Sequence, residues 1–550
     1  MIENRSPKTV FILIHLLPLL IFGLFALLYQ PTLLGSDDAS YADLARQWLA
    51  GNWAFTPHHF SHRLTMFAPT AFLFTALGEG RWVQIGWPLL CGFLLIFTVT
   101  HLTWRLAGVW AGALAGLMLA CNPLILENSM VLGVDLPLTL LMFLTALWGF
   151  LGRGGLGNRP ADATDHAALF GLLFSLTLIL SAMAKLTTIW LIPWAFILLT
   201  FDMVQKKNFK FWLWAALSGV ALLVLYLGYY AWQTGDPLYR IHSVEVGHNT
   251  HPKTYANKSW DQILDRLGLE TLLFILTKPS LLIGFLFPWL VVWIVRDEKR
   301  DQIFFWLSVS VALLVMFWFG STSLQIYNPM HLKERYLLPI LPGMIMLSAV
   351  VLAKISCHSN TLKYRSLWLS ALASVAFALF VLLKQMVEVK SHMLLLSGAL
   401  LVVLALHLLR HRLPQWMIQL APLPLMVALI VLGSLHVVQH RHEIPSFKHS
   451  LALKQQLLAH IPRGHLEAPV TVWSDDRSAR ALASLGSVYQ GLNIVELKHF
   501  ERKINSLQWV VVNRGNAHAE ELSITPEVAK QLQHWPVIEQ REGVVLLKAP

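Results

Sequence analysis

Two adjacent carboxylates, Asp37 and Asp38, stand in the run Gly35-Ser36-Asp37-Asp38-Ala39-Ser40-Tyr41-Ala42-Asp43-Leu44-Ala45, immediately after the first hydrophobic stretch of the chain. A carboxylate at the edge of a membrane can accept the proton of an incoming hydroxyl or amine while the lipid phase holds a greasy second substrate. The same residues suit another reading. Asp is a good helix N-cap, and the apolar spacing of Tyr41, Leu44, Ala45 and Trp48 predicts an amphipathic helix that starts here. Three more ionisable residues stand at the ends of hydrophobic stretches: Asp135, Lys185 and Arg335. Charge at membrane depth is costly and marks a functional site by default, although Lys and Arg at helix ends also snorkel to headgroups. The fixed guanidinium of Arg335, with Lys333 beside it, suits the clamping of phosphate oxygens.

The elements that must carry these residues are membrane helices. A chain of 550 residues that is 56% hydrophobic and only 13% charged, with a mean hydropathy of +0.56, cannot give a soluble globule an ordinary surface. The reading is an α-helical polytopic membrane domain over residues 1–440 followed by a small soluble α/β domain over 441–550. Apolar length and continuity place thirteen spans, at about 10–29, 82–104, 107–126, 131–151, 168–184, 186–201, 211–232, 279–295, 302–319, 336–354, 366–384, 393–409 and 418–438. The first is read as a retained signal anchor, being longer than a signal-peptide core and lacking a small-x-small cleavage site.

With the N-terminus in the cytoplasm, Arg105, Arg153, Lys206, Lys207, Arg296, Lys299, Lys354 and Arg410 fall in short inner loops, as the positive-inside rule requires. The tail then lies outside, as do the longer connections 30–81 and 233–278, which hold Asp37, Asp38, His62, Arg63, Asp236, His248 and His251. Met66 to Leu77 is apolar enough to lie along the interface, with Trp48, Trp53 and Trp82 as aromatic anchors. In the tail, Val470–Trp473, Trp509–Val512 and Val544–Leu547 read as buried strands, with helix-like stretches at 478–484 and 526–534 between them. Asp475 and Asp476 after the first strand suit a turn, a cap or a ligand.

Several chemistries find little support. The net charge of +11 is scattered between spans and forms no basic stripe with interleaved aromatics, so nucleic acid is not an expected partner. Cys91, Cys121 and Cys357 have neither disulfide nor metal spacing. His248-Asn249-Thr250-His251 with His242 lacks an evident further ligand, and no divalent metal or other cofactor is expected. Gly152-Arg153-Gly154-Gly155-Leu156-Gly157 has the dinucleotide spacing but follows a membrane helix and does not open another. No P-loop and no G-x-S-x-G elbow is present.

Taken in order, the polar motifs resemble those of bacterial GT-C glycosyltransferases of the protein O-mannosyltransferase and aminoarabinose transferase type. Asp37-Asp38-Ala39-Ser40-Tyr41-Ala42 with Gly51-Asn52-Trp53 is similar to that family's first acidic motif, and His62-Arg63-Leu64 and Trp87-Pro88-Leu89-Leu90 follow it. Asn122-Pro123-Leu124 leading to Val134-Asp135-Leu136-Pro137 resembles its second acidic motif. Ala184-Lys185-Leu186-Thr187, Thr234-Gly235-Asp236-Pro237 and Arg335-Tyr336-Leu337-Leu338-Pro339 are similar to its later elements. Where aminoarabinose transferases carry Glu-Lys-Pro-Pro, this chain reads Ser61-His62-Arg63-Leu64-Thr65, so the resemblance implies sugar transfer in general and leaves the sugar and the acceptor open.

The resemblance implies a GT-C fold and metal-independent, inverting transfer of a sugar from a polyprenyl-phosphate donor to an envelope lipid, glycan or protein. The place would be the outer face of a bacterial plasma membrane. Asp37 or Asp38 would be the base, Arg335 with Lys185 or Arg63 would hold the donor phosphate, and Asp135 would position the acceptor or orient a cation. A transporter or flippase for a lipid-linked or anionic solute is the rival, since it would use the same intramembrane charges; it predicts repeated halves with interrupted helices, and the early and late spans show no such repeat.

Overall fold

Backbone amides inside hydrocarbon have no water to bond, so long apolar runs close their hydrogen bonds internally as helices. The computed structural model describes residues 7–31, 37–56, 59–155, 166–249, 254–295, 299–357, 423–443 and five strands between 470 and 548. From the N-terminus the helices are α1 (Pro7–Tyr29), α2 (Asp37–Leu49), α3 (Leu64–Leu77), α4 (Arg81–Gln84), α5 (Gly86–Ala107), α6 (Val109–Ala120), α7 (Pro123–Ser129), α8 (Asp135–Gly152) and α9 (Ala167–Ala184). There follow α10 (Leu191–Val204), α11 (Phe209–Thr234), α12 (Tyr239–Asn249), α13 (Trp260–Asp265), α14 (Thr271–Thr277), α15 (Pro279–Leu286), α16 (Val291–Ile294), α17 (Arg300–Phe319), α18 (Leu341–Cys357) and α19 (Leu423–Glu443). Among the described residues, seven helical segments are long and apolar enough to cross a membrane, or eight if the bent pair α6–α7 counts as one span. The chain is a multi-pass membrane protein.

The departures from the predicted spans have local causes. The run at 107–126 bends by 56° between α6 and α7, where Asn122-Pro123 interrupts the ladder and the Asn122 side chain caps α7 by accepting from the backbone N–H groups of Leu124 and Ile125. The run at 279–295 divides at Pro288 into α15, a 3-10 turn and α16. The span expected from 336 begins at Leu341, because Pro339 disfavours helix at the residue before it; residues 334–337 form a separate 3-10 turn. The connection 233–278 carries α12, α13 and α14, and the segment through α13 and α14 is kinked at Gly268. The expected spans 366–384 and 393–409 lie outside the described residues.

Helix α8 is the hub. Among the described residues it is the most deeply buried of the apolar spans, and it packs against α9 and α5. Close approach in the neighbouring layer needs glycine: a Cβ at Gly116 of α6 would sit 2.5 Å from Thr100 Oγ1 and 2.7 Å from Pro18 Cγ. Arg153, just past the C-terminus of α8, donates from Nε and Nη2 to the two carboxylate oxygens of Asp202 at 2.7 Å each, and Trp212 Nε1 donates to the same carboxylate at 2.8 Å. This charge is buried but fully partnered, and it fastens α10 and α11 to one end of α8. Asp135 marks the other end, ~27 Å away along an 18-residue helix.

The tail strands β1 (Val470–Ser474), β2 (Leu492–Glu496), β3 (Gln508–Asn513), β4 (Val537–Arg541) and β5 (Val544–Lys548) make one mixed sheet in the order β2-β1-β3-β5-β4. β1 runs parallel to β2 and β3, whereas β5 is antiparallel to β3 and β4. The three strands expected from sequence are the three inner ones. Those not foreseen, β2 and β4, are the edges, where Asn493, Glu496, Glu539 and Gln540 dilute the apolar pattern because an edge strand has only one neighbour. The stretches 478–484 and 526–534, with Asp475 and Asp476, lie outside the described residues.

Candidate active site

Helix α2 starts at Asp37, so both carboxylates occupy its first turn, where the helix dipole favours negative charge. This is the helix start that the apolar spacing of Tyr41, Leu44, Ala45 and Trp48 predicts, with both acids inside the first turn. Asp38 is 1% exposed and packs inward with Ala42 and Ala45, whereas Asp37 is half-buried. Asp37 and Tyr41 are four residues apart and share one helix stripe. Tyr41 is wholly buried, and its hydroxyl accepts a hydrogen bond from Arg63 Nη1. Burial pushes the Tyr41 phenol up to about 12 against the pull of Arg63, so it stays neutral. The Arg63 guanidinium also lies over the Phe60 ring, 5.1 Å from its centroid.

A second group meets at the start of α8. Asp135 Oδ1 accepts from Lys185 Nζ at 2.8 Å, and Asp135 Oδ2 lies 3.7 Å from Arg335 Nε. Lys185 occupies the extended link between α9 and the 3-10 turn Leu186–Trp190, and its ammonium sits 4.3 Å from the centre of the Tyr336 ring. Burial works against the charge of Arg335, but Asp135 foremost, then Tyr336 and Asp37, outweigh it and hold the guanidinium above its ordinary pKa. Asp37 is thus within electrostatic reach of Arg335, and Arg63 within reach of Asp135. Of the six residues expected from sequence, Asp135, Lys185 and Arg335 are in contact, Asp37 and Arg63 are in electrostatic reach of them, and Asp38 is buried beside Asp37 in the first turn of α2. Asp135 is shared by two cations, Lys185 and Arg335.

Tyr41 and Tyr336, which do not stand out in the sequence, contact Arg63 and Lys185. The spacing of Tyr41 from Asp37 was the available signal, but an aromatic residue on an apolar stripe reads as core. His62, buried beside Arg63, belongs to a clamp: Nε2 lies 3.0 Å from the Thr56 carbonyl, which can only accept, and Nδ1 lies 3.3 Å from the Tyr230 hydroxyl. Phe55 stacks on both rings, at 5.1 and 4.5 Å between centroids, tying the loop that carries Arg63 to α11. The exposed His242 makes a 2.7 Å pair with the half-buried Asp236; His251 lies outside the described residues.

No family model and no curated protein matches the chain. Solved structures do. The apo aminoarabinose transferase ArnT from Cupriavidus metallidurans aligns over 99% of this chain and 98% of its own, with a TM-score of 0.59 and 16% identity. The fold is that of the GT-C glycosyltransferases. The same ArnT bound to undecaprenyl phosphate gives a TM-score of 0.58 at 15% identity, again over 99% and 98% of the two chains. An apo oligosaccharyltransferase from Archaeoglobus fulgidus aligns over 96% of this chain and 73% of its own, with a TM-score of 0.50 at 11% identity. The GT-C likeness thus spans the membrane helices and the tail, and at this identity it is a likeness of fold.

Proposed function

We propose that this protein transfers a sugar from a polyprenyl-phosphate donor to an envelope lipid, glycan or protein, by a single inverting displacement on the outer face of a bacterial plasma membrane. The observation that carries the reading is the meeting of Asp135 with Lys185 and Arg335 at the start of α8, with Asp37 in electrostatic reach of Arg335, within a GT-C fold. In the proposed step the acceptor oxygen attacks the anomeric carbon and gives its proton to the Asp37 carboxylate. The bond from that carbon to the phosphate oxygen breaks, and polyprenyl phosphate leaves with the electron pair. Arg335, Lys185 and Arg63 stabilise the charge that develops on the leaving phosphate, with no call on a divalent metal. Asp135 keeps Lys185 and Arg335 aimed at one point. The ArnT structure that holds undecaprenyl phosphate supports the choice of carrier by analogy of fold.

The test is donor-side binding. Arg335→Ala removes a charge-assisted contact worth about 1.5–3 kcal/mol, so the affinity of the purified protein for undecaprenyl phosphate should fall ~10–100-fold. Unchanged affinity would withdraw the phosphate role and leave Arg335 as a snorkelling residue.

The proposed topology has thirteen spans, the N-terminus inside and the tail outside, following the loop distribution of Lys and Arg. Alkaline phosphatase fused after Pro550 should be active in a bacterial host. A fluorescent reporter that folds only in the cytoplasm should stay dark there; if it glows, the orientation is reversed and Asp37 faces the wrong compartment.

A further inference from the structure

We infer that Glu334 is a positioning residue that locks the turn bearing Arg335, through a Ser280-centred joint, against two broken membrane helices. This rests on the reading of Arg335 as a phosphate ligand. Glu334 adjoins Arg335 in the 3-10 turn Glu334–Leu337. Its Oε2 accepts from the Ser280 hydroxyl, and its Oε1 lies 3.3 Å from Lys278 Nζ. Lys278 and Ser280 flank Pro279 at the start of α15, where unpaired backbone N–H groups favour a carboxylate. The buried Ser280 carbonyl in turn accepts from Asn122 Nδ2 at 2.7 Å, and Asn122 is the cap at the bend between α6 and α7. One serine therefore joins the α6–α7 break, the α15 start and the Arg335 turn. Arg335 is then held from both sides, by Asp135 at its guanidinium and by Glu334 through its backbone.

An acid beside an anion site is otherwise hard to explain. By charge alone Glu334 repels a phosphate and neutralises Lys278, so its removal should tighten phosphate binding. Positioning predicts the opposite sign, because a freed turn must be ordered again each time Arg335 engages.

Undecaprenyl phosphate binding to the purified full chain in nanodiscs separates the two, with thermal unfolding followed in parallel. Glu334→Ala should weaken binding about ten-fold, as expected for loss of an ordered charge-assisted contact, with an unfolding midpoint close to wild type. Glu334→Gln keeps an acceptor for Ser280 and deletes the charge, so it should bind as well as wild type or better. Ser280→Ala should match Glu334→Ala, and the double variant should be no worse than either single one. Tighter or unchanged binding by Glu334→Ala would overturn the positioning role, while weak binding by Arg335→Ala would leave the proposed function standing. Equal weakening by Gln and Ala, or a collapse of the unfolding midpoint in both, would also overturn it in favour of a charge or folding role. If Arg335→Ala binds normally, the reading beneath falls instead.

Discussion

Asp37→Asn is expected to cut sugar transfer ~10²–10⁴-fold while expression and folding stay normal, the range a positioned general base contributes. Asn matches the carboxylate in size and still suits a first helical turn, but it cannot take a proton. Asp38→Asn should behave differently. Asp38 is 1% exposed and directed into the α2 packing, so its replacement should lower thermal stability and leave turnover per folded molecule within a few-fold of wild type, about 1 kcal/mol or less in barrier. The assay is transfer from a polyprenyl-phosphate sugar by each purified variant, normalised to folded protein. Near-normal turnover by Asp37→Asn would remove the base mechanism, and if both variants were active the transporter reading would return.

Asp135→Ala should be the most destabilising single change at the site. Its carboxylate is the shared partner of Lys185 at 2.8 Å and Arg335 at 3.7 Å, and it is 6% exposed. Breaking a buried pair by deleting one partner costs about 3–5 kcal/mol, because the other charge is left without compensation. Asp135→Leu combined with Lys185→Met should recover most of the lost stability, since an apolar replacement for a whole pair is often neutral. Transfer should not recover, because a phosphate ligand is gone and Arg335 has lost its anchor. Thermal unfolding and transfer measured on the same preparations decide it; a single Asp135→Ala variant as stable as wild type would mean that the pair is solvated and does not organise the site.

Much of this architecture follows from sequence alone because its causes are local. Apolar length determines that α1, α5, α8, α9, α11 and α17 cross a membrane, since hydrocarbon thickness and backbone hydrogen bonding are the same for any chain. The inner strands of the tail sheet are equally legible, as their Val-rich runs are apolar enough to stand without context. Asp135, Lys185 and Arg335 stand out as candidates in the same way, because a charge at the end of an apolar span is costly wherever the rest of the chain goes.

What local signals do not carry is which of these distant residues meet. Asp135, Lys185 and Arg335 are separated by 50 and 150 residues, and only the packing of α8 against α9, with the 334–337 turn folded over their ends, makes one carboxylate serve two cations. The different burial of Asp37 and Asp38 follows from the 100° step between neighbouring residues of a helix and from what packs against α2 on each side. Tyr41 and Glu334 escape notice for a related reason: an aromatic residue on an apolar stripe and an acid beside an arginine are ordinary in sequence, and acquire meaning only from Arg63 and Ser280, 22 and 54 residues away along the chain. Composition and periodicity decide where helices form, because those forces act over a few residues; side-chain packing between helices decides which charges face one another, and that is settled only in the tertiary structure.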